Sequence, residues 1–312
     1  MNRILVIRGG AIGDFILTLP ALKALRNAYP NAHIEILGYR HIAALVEKRF
    51  YADFVRSIEY GSLSSFFARN SELADDLKDY FAKFELIISY LYDPDKIFAA
   101  NLRRSGVEQL IEGPPRIDNS QHAARQLLRP LNQLGIKVTD LEASIFPSAS
   151  DRQFASEFLT DLPSPVVAIH PGSGSERKNW PLENWLKLGH DLLARNSLVV
   201  VSGEADRMQS AKLREEVGDR RVRFAENLPL PQLAAILRQT VFVGHDSGIS
   251  HLAAAAGAEC ILLFGPTDPE IWAPLNRNVR LIRAPGNDLH LLELVPVREA
   301  VDQALMRIGM IT

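Results

Sequence analysis

The chain has 312 residues, of which 47% are hydrophobic and 23% are charged, and its formal net charge is −2. These values predict a soluble globular protein of one large or two smaller domains, without the positive charge that general nucleic-acid binding requires. The single cysteine, Cys260, excludes a disulfide framework, and no apolar run reaches the ~20 residues of a membrane span. We therefore expect a cytoplasmic protein, with peripheral membrane contact left open.

Apolar strands and helical segments alternate through the first half of the chain. Strands are expected at residues 4–7, 33–37, 54–58 and 86–89, and helices at residues 15–25, 42–46, 63–81 and 121–134. Such alternation is typical of βαβ units, which build a parallel sheet. Residues 137–150 include Pro147 and small polar residues, which indicates a linker that ends a first domain at residues 1–150.

The same alternation starts again after the linker, which predicts a second α/β domain at residues 151–312. Strands are expected at residues 166–170, 198–203, 241–244, 261–264 and 279–282, and helices at residues 182–193, 205–217, 230–237 and 297–306. The last helix, about residues 296–312, is expected either in this domain or packed back on the first. Ligands of parallel sheets bind beyond the carboxyl ends of the strands, so the loops there are the candidate sites.

The segment 245–257 follows one of these strands and opens an Ala-rich helix. Asp246 or Ser247 is expected to cap the helix, and Gly248 gives the turn room. The free N–H groups of such a helix start suit a phosphate or a sugar hydroxyl. A capped turn without a ligand is the alternative. We favour a site because His245, His251 and Asp246 are not needed for packing.

Three glycines, Gly9, Gly10 and Gly13, lie between the first strand and the first helix. Their spacing departs from the dinucleotide-binding motif, and Glu35, the candidate ribose acid, lies inside an apolar strand, so a nicotinamide cofactor is disfavoured. The alternative function of this turn is to let an acceptor molecule approach the backbone beside Asp14. Asp14 alone also fits the role of a helix N-cap.

Two further loops carry groups that suit a nucleotide. Residues 170–181 contain glycines, hydroxyl side chains, Arg177 and Lys178, which suit a pyrophosphate without a metal; a solvated loop is the alternative. Glu204 follows a strand, where a carboxylate can accept ribose hydroxyls; a surface acid at a helix start is the alternative. The histidines lack the spacing of metal ligands, so no metal site is predicted.

Together these loops resemble glycosyltransferase family 9, the ADP-heptose:lipopolysaccharide heptosyltransferases. The resemblance covers nearly the whole chain and rests on residues 4–8, 13–14, 19–22, 170–173, 178–181, 246–253 and 264–267. It implies the GT-B fold, an α/β architecture in which two Rossmann-like parallel-sheet domains face each other across a cleft. The first domain would bind the acceptor and the second the nucleotide sugar.

By this resemblance, Asp14 is expected to be the general base, beside an acceptor-side loop formed by Gly9, Gly10 and Gly13. The expected donor-binding residues are Ser173, Gly174 and Lys178 at the diphosphate, Glu204 at the ribose, and Asp246, Ser247, Gly248 and His251 near the sugar nucleotide. The resemblance implies neither a metal nor another cofactor.

The resemblance thus implies an inverting, metal-independent glycosyltransferase that moves a sugar, with heptose the first expectation, from an ADP-sugar to lipopolysaccharide core or another surface glycan. A glycolipid acceptor would place the enzyme at the inner face of the cytoplasmic membrane. A sugar-nucleotide epimerase and a non-catalytic nucleotide-sugar-binding protein are the alternatives. Relatives acting on a phosphorylated core carry basic residues for the acceptor, whereas residues 60–65 have none, so the sequence leaves the acceptor and the sugar open.

Overall fold

The structure is a computed structural model and describes residues 1–309 of the chain. It divides into two compact units, Met1–Leu141 and Glu142–Thr312. Each unit contains one parallel β-sheet, of five strands in the first and six in the second. This architecture confirms the predicted pair of parallel α/β domains. Among the described residues, no helix combines the length and the apolar character that a membrane span needs.

The first unit is built on a sheet in the order β3-β2-β1-β4-β5. Its strands are β1 (Arg3–Arg8), β2 (His33–Gly38), β3 (Phe54–Ser57), β4 (Leu86–Ser89) and β5 (Leu110–Glu112). Its helices are α1 (Ile12–Ala28), α2 (Arg40–Ala43), α3 (Asp75–Ala82), α4 (Ile97–Arg104), α5 (Ala123–Leu127) and α6 (Arg129–Gln133), with a 3-10 helix at Gly61–Phe67.

The second unit has a sheet in the order β11-β10-β9-β6-β7-β8. Its strands are β6 (Val166–His170), β7 (Ser197–Ser202), β8 (Val222–Glu226), β9 (Val241–His245), β10 (Glu259–Phe264) and β11 (Val279–Arg283). Its helices are α7 (Ala149–Phe158), α8 (Leu182–Leu193), α9 (Arg207–Val217), α10 (Leu230–Leu237), α11 (Gly248–Ala256), α12 (Pro269–Trp272) and α13 (Leu294–Gly309). Short 3-10 helices lie at Glu176–Lys178, Glu204–Asp206, Pro285–Asn287 and Leu289–Leu291.

The central strands form where the sequence has continuous apolar runs. Every residue of β6, β7 and β9 is buried, as expected for strands covered on both faces of a parallel sheet. The outer strand β11 is only partly buried. Helix α8 packs against β7 and places Trp185 and Leu188 in the core of this unit.

The helix predicted over residues 63–81 is wrong. The chain instead forms the 3-10 helix Gly61–Phe67, then irregular backbone, and α3 begins at Asp75. Asn70 has a φ of 54°, which a right-handed helix does not allow. The buried Asn101 side chain donates to the carbonyls of Phe66 and Ala68 at 2.9 and 3.0 Å, and these bonds hold the irregular path.

The two units divide between Leu141 and Glu142, not at residue 150 as expected. The segment expected as a linker is bonded to the second unit. The backbone N–H of Ile145 donates to the Ala255 carbonyl at 2.8 Å, and the Asn276 amide donates to the Ala143 carbonyl at 2.8 Å. These bonds explain why the boundary lies earlier in the chain.

Helix α13 also belongs to the second unit. Its apolar side chains Val297, Ala300, Val301 and Ala304 are buried in the core of that unit, and the helix packs against α8, β9 and β10. Of the two positions expected for the last helix, residues 294–309 therefore take the one in the second domain. Residues 310–312 of the expected helix lie outside the described residues.

Candidate functional site

Each sheet has one place where the strand order reverses, and loops beyond the strand ends form a natural binding crevice there. In the first unit this place lies between β1 and β4, and in the second between β6 and β9. The loop after β1 leads to Asp14, the loop after β6 contains Lys178, and the loop after β9 contains Asp246. The topology thus places the predicted residues where parallel sheets bind ligands.

Asp14 lies in the first turn of α1 with its carboxylate held by the backbone. Its Oδ2 atom accepts a hydrogen bond from the N–H of Ala11 at 3.1 Å. Ala11 is the N-cap residue, so Asp14 closes the helix start from the third helical position and is not the N-cap itself. Its side chain remains 36% exposed. A fixed and accessible carboxylate of this kind can act as a proton acceptor.

Arg8 supports Asp14 from the end of β1. Its guanidinium donates to the Asp14 carbonyl at 3.0 Å and lies 3.9 Å from Oδ1 of the carboxylate. The same group lies 5.6 Å from the ring centroid of Tyr90. Burial lowers the pKa of Arg8, while Asp14 and Tyr90 oppose that shift. From the sequence, Arg8 was only one of the residues that carry the family resemblance, and this supporting contact depends on the fold.

The glycines before α1 make room for the Asp14 carboxylate. Gly10 has a φ of +99°, and a Cβ atom there would lie 3.0 Å from Oδ2 of Asp14. A Cβ atom at Gly9 would instead meet ordinary contacts, 3.7 Å from Leu91 at the nearest. Gly13 lies within the first turn of α1. Gly10 is therefore the position of the loop where both the backbone and the carboxylate require glycine.

On the second unit, Lys178 and Asp246 form an ion pair. Lys178 ends the 3-10 helix Glu176–Lys178, and its Nζ lies 2.6 Å from Oδ2 of Asp246, which directly follows β9. The side chains are 33% and 10% exposed, respectively. Because the ammonium is partly exposed at the start of α11, it can contact an anion that binds there.

Ser247 caps α11, which settles the expectation that either Asp246 or Ser247 would do so. Its Oγ accepts a hydrogen bond from the N–H of Ser250 at 3.3 Å. Gly248 is the first residue of the helix, and His251, in its first turn, is only 5% exposed. Helix α11 therefore presents backbone N–H groups at its start, while His251 is directed into the protein interior.

The expectation that His245 is not needed for packing is wrong. It is fully buried, and its ring meets that of Trp185 edge to face at 5.2 Å between centroids. Its Nε2 accepts from the N–H of Trp180 at 2.8 Å, and its Nδ1 lies 3.3 Å from the Gly172 carbonyl, to which it donates. Burial lowers the pKa of His245 to about 3. This neutral histidine fastens the 170–181 loop to β9.

Ser173 and Gly174 lie at the exposed side of that loop. The Ser173 hydroxyl donates to Oδ1 of Asn179 at 2.7 Å and also lies 2.8 Å from the Ser175 carbonyl. The hydroxyl therefore maintains the shape of the loop. A Cβ atom at Gly174 would meet nothing within 4 Å, so its backbone borders open space that a ligand can approach.

Glu204 is exposed at the start of the 3-10 helix Glu204–Asp206, beyond β7. A cavity of about 510 Å³ opens beside it, and its lining includes Ser202, Gly203, Arg207, Arg214, Glu226 and Asn227. The position after β7 is the one expected for an acid that binds ribose, and the cavity has the size of a nucleoside site.

A buried chain of polar side chains connects three loops of the second unit. His170 Nε2 lies 3.0 Å from Oδ2 of Asp206, and His170 Nδ1 lies 3.4 Å from Oγ of Ser247. Burial alone would raise the pKa of Asp206, but hydrogen bonds from His170 and the Gly203 N–H hold it below its ordinary value. No role for Asp206 was predicted from the sequence. Its position two residues after Glu204 is the sequence feature that could have identified it.

Glu35, the acid considered for a nicotinamide ribose, is fully occupied inside the first unit. Its carboxylate binds Arg3 at 3.1 Å, His33 at 2.8 Å and the Tyr80 hydroxyl at 3.1 Å. These contacts account for a buried acid on β2 without a ligand. Within residues 1–309, no group of three or more His, Cys, Asp or Glu side chains has the arrangement of a metal site.

The family profile and a full-length relative that match this chain both point to heptosyltransferases. The sequence profile of glycosyltransferase family 9 (heptosyltransferase) matches residues 101–293. The lipopolysaccharide heptosyltransferase 1 of Escherichia coli O18:K1:H7 is 23% identical over 331 aligned residues, which cover 99% of this chain and 100% of that protein.

Two solved structures match the fold over almost their full length. A glycosyltransferase family 9 protein from Veillonella parvula has a TM-score of 0.79 at 20% identity, covering 98% of this chain and 97% of that chain. The E. coli heptosyltransferase WaaC, solved with ADP-2-deoxy-2-fluoro heptose, has a TM-score of 0.69 at 22% identity, covering 96% and 99%, respectively. Both likenesses support the same two-unit α/β fold.

Proposed function

The chain belongs to glycosyltransferase family 9, the heptosyltransferases, and we propose that it transfers heptose from ADP-heptose to a lipopolysaccharide-core or related surface-glycan acceptor. The family match confirms the resemblance drawn from the sequence. The named substrates come from its relatives, a lipopolysaccharide heptosyltransferase and a heptosyltransferase solved with an ADP-heptose analogue. The requirement for an acceptor glycan distinguishes this function from that of an epimerase, which acts on the donor alone.

The observation that carries the donor half of the proposal is the Lys178–Asp246 pair at the start of α11. A nucleoside diphosphate leaving group gains negative charge on its oxygens as the glycosidic bond breaks. An ammonium group and the N–H groups of a helix start can stabilise that charge, as a divalent cation does in other enzymes. We assign the diphosphate to Ser173, Gly174, Lys178 and the backbone of Ser247 and Gly248.

The nucleoside is assigned to the neighbouring cavity beyond β7 and β8. The Glu204 carboxylate can accept hydrogen bonds from the two ribose hydroxyls, and the cavity of about 510 Å³ beside it can accommodate the base. Asp246, which fixes the Lys178 ammonium, is assigned to a hydroxyl of the sugar. In this assignment His251 supports the start of α11 from within.

The acceptor half of the reaction is assigned to Asp14. Its carboxylate takes the proton of the acceptor hydroxyl while that oxygen forms a bond to the anomeric carbon. The bond between that carbon and the diphosphate oxygen breaks, and the nucleoside diphosphate leaves with the electron pair. Attack from the side opposite the leaving group inverts the anomeric centre through an oxocarbenium-like state. Asp14 is held by the Ala11 N–H and is partly exposed, as a positioned base must be.

A glycolipid acceptor would be presented at the inner face of the cytoplasmic membrane, and we propose that the enzyme works there as a peripheral protein. The first unit exposes several aromatic side chains that suit an interfacial contact: Phe54, Tyr60 and Phe67 are 41%, 47% and 45% exposed. Co-sedimentation with vesicles of anionic phospholipid, with and without glycolipid acceptor, tests this part separately. Absence of the protein from both pellets would contradict it.

The decisive experiment is a nucleotide-release assay with purified protein. ADP-heptose should yield ADP only when a heptose-deficient lipopolysaccharide acceptor is added, and the rate should be unchanged by EDTA. The glycosidic configuration of the product, determined by NMR, should be opposite to that of the donor. Conversion of the donor without acceptor would indicate an epimerase. Binding of ADP-heptose without turnover under either condition would indicate a non-catalytic binding protein.

A further inference from the structure

We propose that His170 is a positioning residue for the nucleotide-sugar donor: it joins three loops of the donor site in one arrangement and sets donor affinity without contacting the donor. The inference rests on the proposed function, because it concerns the assigned donor site. It begins with a motif that the reaction itself leaves unexplained, the histidine that ends β6 before the Pro171-Gly172 turn.

The first argument is the placement of the three partners. His170 ends β6, Asp206 follows β7, and Ser247 follows β9, so each partner comes from a different loop at the same edge of the sheet. His170 is 4% exposed and Asp206 is 5% exposed. A buried polar group must satisfy its hydrogen bonds within the protein, so these loops are constrained to stay together.

The second argument is the direction of the hydrogen bonds. Oδ2 of Asp206 accepts from His170 Nε2–H at 3.0 Å and from the Gly203 N–H at 3.3 Å. With its proton on Nε2, the imidazole accepts at Nδ1 from the Ser247 hydroxyl, 3.4 Å away. The Ser247 Oγ in turn accepts from Ser250 at the start of α11. One chain of bonds therefore runs from the loop after β7 to the helix start.

The third argument is what these loops carry. Asp206 shares its 3-10 helix with Glu204, the assigned ribose acid. Ser247 is adjacent to Asp246, which holds Lys178 at 2.6 Å. His170 thus fixes the separation between the ribose contact and the diphosphate contact. Correct spacing of two contacts on one ligand raises affinity because less ordering is needed when the ligand binds.

The packing over Gly172 supports the same conclusion. A Cβ atom at position 172 would lie 1.7 Å from Oδ1 of Asp206, so the carboxylate occupies the space that a side chain would fill. The Gly172 carbonyl also accepts from His245. The turn after β6 is therefore shaped around the Asp206 carboxylate, and His170 is the group that holds this carboxylate in place.

The test measures ADP binding by calorimetry and steady-state kinetics with both substrates. His170→Ala should raise the Kd of ADP and the KM of the donor about tenfold or more, because it removes the hydrogen bonds that join the buried Asp206 carboxylate to Ser247. The acceptor KM should stay within about twofold of the wild type. His170→Gln, whose amide can still donate to Asp206, should recover most of the donor affinity.

Two further variants separate positioning from a general loss of structure. Asp206→Asn should weaken ADP binding in the same way. The double variant with His170→Ala should bind ADP no more weakly than the single variant with the lower affinity, because both substitutions break the same chain of hydrogen bonds. His190→Ala, at an exposed histidine of α8 in the same unit, should match the wild type. Thermal melting identifies any variant that fails to fold. If His170→Ala does not fold, Asp206→Asn carries the test, and wild-type ADP affinity in folded Asp206→Asn overturns the inference.

Failure of this inference and failure of the proposed function are distinguishable. If wild-type protein does not bind ADP, the donor-site assignment itself fails. If wild-type protein binds ADP and folded His170→Ala binds it equally well, His170 has no positioning role. Increases in donor KM and acceptor KM by the same factor, with an equal decrease in kcat, would indicate a general structural role and would also overturn the inference.

Discussion

Lys178 and Asp246 lie 68 residues apart in the sequence, yet their charged atoms are 2.6 Å apart in the fold. The pair joins the loop after β6 to the turn after β9, at the reversal of strand order in the second sheet. The ammonium is therefore fixed before any ligand arrives. A preorganised charge of this kind stabilises a leaving group without the cost of reorientation during the reaction.

Replacing Lys178 with Met should weaken ADP binding about 10- to 100-fold, because a charge-assisted hydrogen bond to the diphosphate is lost. Lys178→Arg keeps the charge and should retain more of the affinity. Calorimetry with ADP measures both effects. Lys187→Met is the control, since Lys187 is an exposed lysine on α8 of the same unit and does not line the cavity. Unchanged ADP affinity in Lys178→Met would remove Lys178 from the donor site.

Replacing Asp14 with Asn should reduce kcat about 10²- to 10⁴-fold while ADP affinity stays unchanged, because the amide cannot accept the acceptor proton. The Asn carbonyl can still accept from Ala11, so the start of α1 is preserved. Asp75→Asn changes an exposed acid in the first turn of α3 and serves as the matched control. Full turnover in Asp14→Asn would show that another group is the base.

Gly10→Ala should lower kcat at least tenfold with little change in ADP affinity. Position 10 has a φ of +99°, and the new Cβ would lie 3.0 Å from Oδ2 of Asp14, so the loop or the carboxylate must move. Gly309→Ala, where a Cβ would meet nothing within 4 Å, should leave turnover unchanged. Wild-type kcat in Gly10→Ala would mean that the position of the carboxylate is not critical.

Stability should fall between pH 7 and pH 5 because of His245. Burial lowers the pKa of His245 to about 3 in the folded state, from an ordinary value of 6.5. Between these values the unfolded chain binds one more proton, so stability is complete above the ordinary pKa and decreases as pH falls toward 3. The expected contribution is about 2 kcal/mol between pH 7 and pH 5.

Urea unfolding at both pH values, followed by tryptophan fluorescence, measures this effect. Trp180 and Trp185 both contact His245, so the signal reports on the same region. His245→Gln should have lower stability at pH 7 and a smaller loss between pH 7 and pH 5. An identical pH dependence in the variant and the wild type would contradict the assignment of this loss to His245.

The sequence predicted the fold well because most of the sheet strands are continuous apolar runs separated by helical segments. The strand β8 escaped prediction because Arg223 and Glu226 interrupt its apolar pattern. The irregular path after Phe67 escaped prediction because it depends on Asn101, a buried amide more than thirty residues away. Local patterns carry no information about such distant contacts.

Part of the candidate site was also predictable from the pattern of strands and loops. Within each sheet the loops after parallel strands lie at one edge, so Asp14 in the first unit and Lys178 and Asp246 in the second could be selected without knowing their contacts. Their partners could not be selected. His245 looked available for a ligand, but the fold buries it against Trp185. Asp206 had no predicted role, but the fold places it beside His170.

The segment between Glu142 and Ser148 has a practical consequence for dissecting this protein. Its backbone bonds to Ala255 and Asn276 mean that it completes the second unit. A fragment that starts at residue 151 would leave the carbonyl of Ala255 and the amide of Asn276 without these protein partners. A fragment of the second unit for crystallography or ligand screening should therefore begin at Glu142, and one that begins at residue 151 should melt at a lower temperature.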